Sequence, residues 1–151
     1  MPARVFDGET AHEGWAVAVR VDRIESAGPA VSTATPAGAK VFDLPGATLL
    51  PGLIEMHRHV LLHPYNETTW NDQVAREALA LRTARATNHR RATLLAGFTT
   101  IRDLGTEGAG YADEGLKQAV EQNIIPGPRM LVTTRGMVAT GTSGPRGPAP
   151  E

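Results

Sequence analysis

The chain has 151 residues, the size of one ordinary domain, and its 41% apolar and 21% charged residues are a globular composition. A formal net charge of -1 gives no electrostatic case for nucleic acid or an anionic membrane surface as a partner. The absence of cysteine excludes disulfides, thiolate metal sites and a cysteine nucleophile.

The start, MPARVFDGET, lacks a basic region followed by an apolar stretch, so no signal peptide is read there. No apolar run approaches the ~20 residues of a membrane span. The expectation is a soluble, cytoplasmic protein, provided that the start is not clipped. Residues 4–28, RVFDGETAHEGWAVAVRVDRIESAG, read as β structure: Val17, Val19 and Val21 share one parity, with turn signals at Asp7-Gly8 and Glu13-Gly14. GPAVSTATPAG (28–38) is a small-residue loop, and KVFDLPG (40–46) a short strand. Residues 1–47 therefore form a small β layer, too small to be stable alone.

The character then changes. TLLPGLIEMHRHV (48–60) is a near-continuous apolar run, as in a parallel-sheet strand buried on both faces. HPYNETTWND (63–72) is a loop. From Asp72 to Ala96 the pattern is helical, with Val74, Ala78, Leu81, Ala92 and Leu95 on the inward stripe, Thr69 and Asp72 as a capping box and Gly97 as the stop. On that reading Arg76, Arg82, Arg85, Arg90 and Arg91 make a solvated face. FTTIRDLG (98–105) is a β-branched strand. GTEGAG (105–110) is a loop without the pattern of a phosphate-binding turn. YADEGLKQAVEQN (111–123) is a short helix with Leu116, Ala119 and Val120 inward. IIPGPRMLVTTRGMV (124–138) turns into a third strand, and TGTSGPRGPAPE (140–151) is Gly/Pro-rich. Strand, helix, strand, helix, strand is the order of a right-handed parallel β/α fold.

Alternate side chains of a strand share a face. His57 and His59 therefore point with Leu53 and Glu55, while Ile54, Met56, Arg58 and Val60 point the other way. Neutral imidazole is a good ligand for zinc, and two on one rigid strand would place a metal accurately. Taken alone, H-x-H is better read as two hydrogen-bonded structural histidines at a strand end.

The surroundings narrow that choice. LLPGLIEMHRH (49–59), with AGFTTIRDLG (96–105), IPGPRMLVTT (125–134), RVFDG (4–8) and GATLLPG (46–52), resembles in order the motifs of the metal-dependent amidohydrolase superfamily. The nearest group by resemblance is the imidazolonepropionase-related amidohydrolases with the Xaa-Pro dipeptidase-like enzymes. The resemblance implies an α/β fold: the N-terminal part of a (β/α)8 TIM-type barrel (48–151), preceded by part of a small β-sandwich (1–47). It implies His57 and His59 as metal ligands on the first barrel strand, for one or two divalent ions, zinc being the expected metal. The remaining ligands of that family, a carboxylated lysine or glutamate, two further histidines and a late aspartate, have no counterpart here, since Lys40 and Lys117 are the only lysines and neither is suitably placed. No catalytic residue is expected within the chain.

The implied chemistry is hydrolysis of a non-ester C–N bond in a small amide or peptide-like substrate by metal-activated water, from an N-terminal fragment inactive alone. The alternative is a non-catalytic truncated product, or an interaction module that self-associates through open barrel edges. His63, on the loop after the metal strand, is a candidate for touching substrate or for shaping a turn with Pro64. Tyr65, Asn66 and Glu67 would line the same loop. His12 and His89 are expected at the surface, Trp15 and Trp70 as packing anchors, and Arg102 and Asp103 as a strand end bonded to loop backbone. Two positions depart from the family pattern: Glu55 where aspartate is usual, and Arg58 where a small residue is usual. Arg58 should enter the strand–helix layer, where an unpaired charge is costly.

Overall fold

The computed structural model describes residues 1–137 and 139. The Gly/Pro-rich stretch from residue 140 and the last residue of the expected third strand, Val138, lie outside the described residues. The chain divides into two compact units, Met1–Pro51 and Gly52–Glu151. Among the described residues no helix is long and apolar enough to cross a membrane.

The first unit is all β. Strand β1 (Pro2–Phe6) lies between β2 (Ala11–Glu13), antiparallel to it, and β5 (Leu44–Leu49), parallel to it. The β1–β2 turn is closed by Asp7, whose Oδ1 accepts the amides of Glu9 and Thr10 at 2.8 Å each. Strands β3 (Trp15–Arg20) and β4 (Arg23–Pro29) form a hairpin with a register shift between Ala18 and Val19. The valine alternation fails there: Ala16 is buried, Val19 at the shift faces solvent, and Val21 lies in the exposed turn beyond β3. The strand expected at 40–46 begins only at Leu44 and runs on to Leu49, because its partner is β1 and the pairing starts opposite Pro2. His12 is half-buried rather than a free surface group, stacked on Trp15 with ring centroids 3.8 Å apart.

The second unit is α/β. Strands β6 (Leu53–Arg58), β7 (Phe98–Asp103) and β8 (Arg129–Leu131) lie side by side, all parallel, in the order of the sequence. Helices α1 (Trp70–Ala75) and α2 (Leu79–Leu95) connect β6 to β7, and α3 (Ala112–Glu121) connects β7 to β8. Parallel neighbours need such crossovers, which is why strand and helix patterns alternate along the sequence. The core gathers Val60, Leu61, Ala86, Ile101, Ala109, Leu116 and Met130. Gly52 at the mouth of β6 is dictated by crowding: a Cβ there would lie 2.6 Å from the Thr99 Cβ.

Three expectations change. The run 48–60 is not one strand buried on both faces. Leu44–Leu49 belongs to the first unit, and Leu53, Ile54 and Met56 of β6, one of the two outer strands, are exposed. The helix expected over 72–96 is two, broken at Arg76–Ala78. Thr69 caps the first, accepting the Asp72 amide at 3.3 Å and donating to the Asp72 carboxylate at 2.8 Å. Gly97, at φ +95°, ends the second in the left-handed conformation that glycine adopts freely.

The inward stripe of α2 is the largest change. It is Arg82, Ala86, Arg90 and Thr93, while Leu81 and Leu95 are exposed. The spacing is still helical, but two arginines carry the buried face. Backbone carbonyls at the strand ends need donors, and Arg82 supplies them: Nε donates to Leu61 O at 3.1 Å, and a terminal nitrogen to Thr106 O and Glu107 O at 3.0 Å each. Arg90 is fully buried, its guanidinium has no hydrogen-bond partner among the described residues, and burial pulls its pKa down to about 10.

Candidate metal centre

His57 and His59 stand at the C-terminal end of β6, His59 just past its last paired residue. Their rings meet edge to face, with centroids 5.4 Å apart and planes at 73°. The His59 Nδ1 lies 2.9 Å from the carbonyl oxygen of Gly105, in the loop after β7. A carbonyl can only accept, so Nδ1 bears the proton and Nε2 keeps its lone pair. A neutral imidazole can bind a metal through either nitrogen, and with Nδ1 engaged it is Nε2 that is left open here. The His57 ring makes no hydrogen bond among the described residues, and its backbone amide donates to Glu55 Oε1 at 3.0 Å. Glu55 thus folds back onto its own strand. Among the described residues no cluster of three or more His, Cys, Asp or Glu side chains could hold an ion. The donor chemistry fits two ligands of a metal site.

The supports of His59 are buried and polar. Asp103, fully buried at the end of β7, accepts the Val60 amide on Oδ2 and the Gly105 amide on Oδ1, each at 2.9 Å. Burial pushes the Asp103 carboxyl above its usual range, against the downward pull of those two N–H donors. Asp113, equally buried, accepts the Thr134 amide at 2.9 Å, and the Thr134 carbonyl accepts the Thr106 amide at 2.9 Å. Arg102 donates to Met56 O at 2.8 Å. Trp70 donates to Glu107 Oε2 at 3.2 Å, and Glu107 Oε1 stands 3.7 Å from His59 Nδ1. Glu107 holds a left-handed backbone conformation, φ +49°, uncommon for a residue with a side chain. The bonding of Arg102 and Asp103 to backbone is as the sequence led one to expect, whereas Asp113 and Glu107 carry no sequence signature.

An open groove runs beside β6, lined by His57, His59, His63, Tyr65, His89 and Phe98 among others. His63 is buried with both ring nitrogens engaged, Nδ1 at 3.0 Å from Glu67 and Nε2 at 3.2 Å from Glu77. Its backbone N–H donates to Gln73 Oε1 and its carbonyl accepts from Gln73 Nε2, both at 2.9 Å. A substrate reaching this ring would have to displace one of the two carboxylates. Glu77 also takes Arg85 in a forked pair at 2.6 and 3.2 Å, and that guanidinium is the main reason its pKa lies below the ordinary value. His89, expected at the surface, is half-buried, and burial lowers its pKa with help from the Arg58 and Arg85 charges. Arg58 lines the same groove as the histidines, close enough to His89 for its charge to act there, and its Nε is buried without a partner among the described residues.

The chain matches the amidohydrolase family over residues 48–145. No curated protein matches it. Among solved structures it is similar to an amidohydrolase at 31% identity, with a TM-score of 0.71, over 88% of this chain and 30% of that one. A protein of Bifidobacterium longum classed provisionally as a prolidase is 28% identical, with a TM-score of 0.68, over 95% of this chain and 31% of that one. A Xaa-Pro dipeptidase with bound methionine in its active site shares the fold at 20% identity, with a TM-score of 0.69, over 93% of this chain and 34% of that one. The chain thus spans about a third of the length of these structures. Since the family match covers well over half of its residues, the chain belongs to the amidohydrolase family.

Proposed function

We propose that this chain carries the first-strand portion of a metal-dependent hydrolase that cleaves a C–N bond in a small amide or peptide-like substrate. His57 and His59 are the metal ligands, and zinc is the metal. The second unit is the opening of a (β/α)8 barrel, and the first unit is part of a small β-sandwich. The observation that carries this reading is the imidazole pair at a parallel strand's C-terminal end, with His59 held by Gly105 so that its Nε2 is left open. The family match and the likeness to a dipeptidase and a provisionally classed prolidase support the bond type.

When bound, such a metal lowers the pKa of a water and polarises the scissile carbonyl. This chain's own residues hold His59 in orientation, wall the groove with Tyr65 and Phe98, and keep His63 engaged with its two carboxylates. The other ligands and the proton-transferring carboxylate come from outside these 151 residues. The test is zinc titration of the purified chain by calorimetry, alongside His57→Ala and His59→Ala. Weak binding in the native chain, abolished in either variant, is expected. Uptake indifferent to both substitutions would refute the ligand assignment, and dipeptide turnover by the chain alone would refute the claim that its site is incomplete.

The exposure of Leu53, Ile54 and Met56 on the outer strand favours a second reading, self-association through β6. A concentration-independent monomer by sedimentation would rule it out.

A further inference from the structure

The His59 ring is braced by backbone, and that backbone is itself fixed by one carboxylate. Asp103 places its two oxygens on two amides: Val60, the residue after His59, and Gly105, the residue whose carbonyl takes the His59 Nδ1 proton. One buried group therefore sets both the main chain beside the histidine and the acceptor behind its ring. The same loop is held from further sides by Arg82 on Thr106 O and Glu107 O, and by Thr134 O on the Thr106 amide. A rival brace exists in Glu107, but its oxygen stands 3.7 Å from Nδ1, too far for a hydrogen bond, and its other oxygen is taken by Trp70.

We infer that Asp103 is a positioning residue for His59: by pinning Val60 and Gly105 it aims the Gly105 carbonyl at Nδ1 and so leaves Nε2 as the donor nitrogen before any metal is present. The inference rests on His59 being a ligand, as proposed above, but it makes a statement about the metal-free chain that can be checked separately. An imidazole without such a brace favours the Nε2–H tautomer, which blocks the nitrogen left open here.

The experiment is ring nitrogen–proton correlation NMR on the metal-free, isotope-labelled 151-residue chain, with His59→Gln identifying the signals. The native chain and Glu107→Gln should both show His59 protonated at Nδ1. Asp103→Asn should shift it toward the Nε2–H form and weaken zinc binding by roughly 10–100-fold, the usual size of a ligand-orienting effect. An Nε2–H tautomer in the native chain, a tautomer switch in Glu107→Gln, or a folded Asp103→Asn variant with the tautomer unchanged would each overturn the inference. Should Asp103→Asn fail to fold, hydrogen exchange of the native chain decides: slow exchange at both Val60 and Gly105 supports the clamp, and fast exchange at either overturns it. A native chain with Nδ1–H at His59 that takes up no zinc would sink the ligand assignment while upholding the brace.

Discussion

Replacing Arg82 by methionine keeps the aliphatic stem and removes a guanidinium that is only 3% exposed. Three carbonyls, of Leu61, Thr106 and Glu107, lose the arginine at once, and of these Thr106 O still accepts the Ala109 amide at 3.3 Å. A buried acceptor left unpaired costs about 1–3 kcal/mol. Leu61 is 2% exposed and its carbonyl cannot reach water without opening the loop, whereas Glu107 is half-buried and can be rehydrated. One such loss, with the weakened pairing of Thr106 O beside it, comes to roughly 2–4 kcal/mol, and part is returned because a cation no longer has to be held out of water. That return is real, since burial pulls the Arg82 pKa down in the folded chain. The net expectation is a loss of about 1–3 kcal/mol. The control is Arg76→Ala, whose side chain is 75% exposed and pairs with Asp72 across one helical turn, an interaction worth ~0.2–0.5 kcal/mol. Urea unfolding at neutral pH, with midpoints compared at a common slope, measures both. If the two variants fall within about 0.5 kcal/mol of each other, the ordinary scatter of surface substitutions, the assignment of Arg82 as the tie between the two loops is wrong.

Further outcomes follow from other contacts. Arg58→Thr removes a buried, partnerless Nε and should raise unfolding stability by about 1 kcal/mol; no gain in the same urea experiment would mean that Arg58 is compensated in solution. Gly52→Ala drives a Cβ into the Thr99 side chain, a clash no rotamer of Thr99 relieves because its own Cβ is involved, and should cost about 1–3 kcal/mol. An unaltered melting temperature would show that β6 and β7 shift apart freely. Glu77 has a folded pKa below its ordinary 4.5, chiefly because of Arg85, so it contributes stability above pH 4.5 that is lost as pH falls through the folded value. Glu77→Gln should flatten the acid limb of stability against pH, and an unchanged limb would place the acid sensitivity elsewhere.

The order of strands and helices in the second unit was legible because each element keeps its own period and each turn its own punctuation, as at Thr69 and Gly97. The histidine pair was legible because two ligand-type residues two apart on a strand are rare, and the motifs around them arrive in order. What the sequence concealed has a common physical origin. Arg82 and Arg90 count as polar in any hydrophobic pattern, so the buried face of α2 was assigned to leucines that lie outside. The partners of Arg82 are main-chain carbonyls, which every residue carries, so no residue type announces them. That β6 stands at an end of the sheet is a matter of topology and not of composition.

The two imidazoles at the end of β6 are unequally prepared. His59 has given up its rotational freedom to the Gly105 carbonyl, whereas the His57 ring has no such tether among the described residues. Freezing an untethered side chain on binding costs about 0.5–1.5 kcal/mol, and a ring already frozen is spared most of it. An ion docking here would therefore meet a fixed post and a swinging arm. The arm could follow ions of different radius, and a competing chelator would free it before the post.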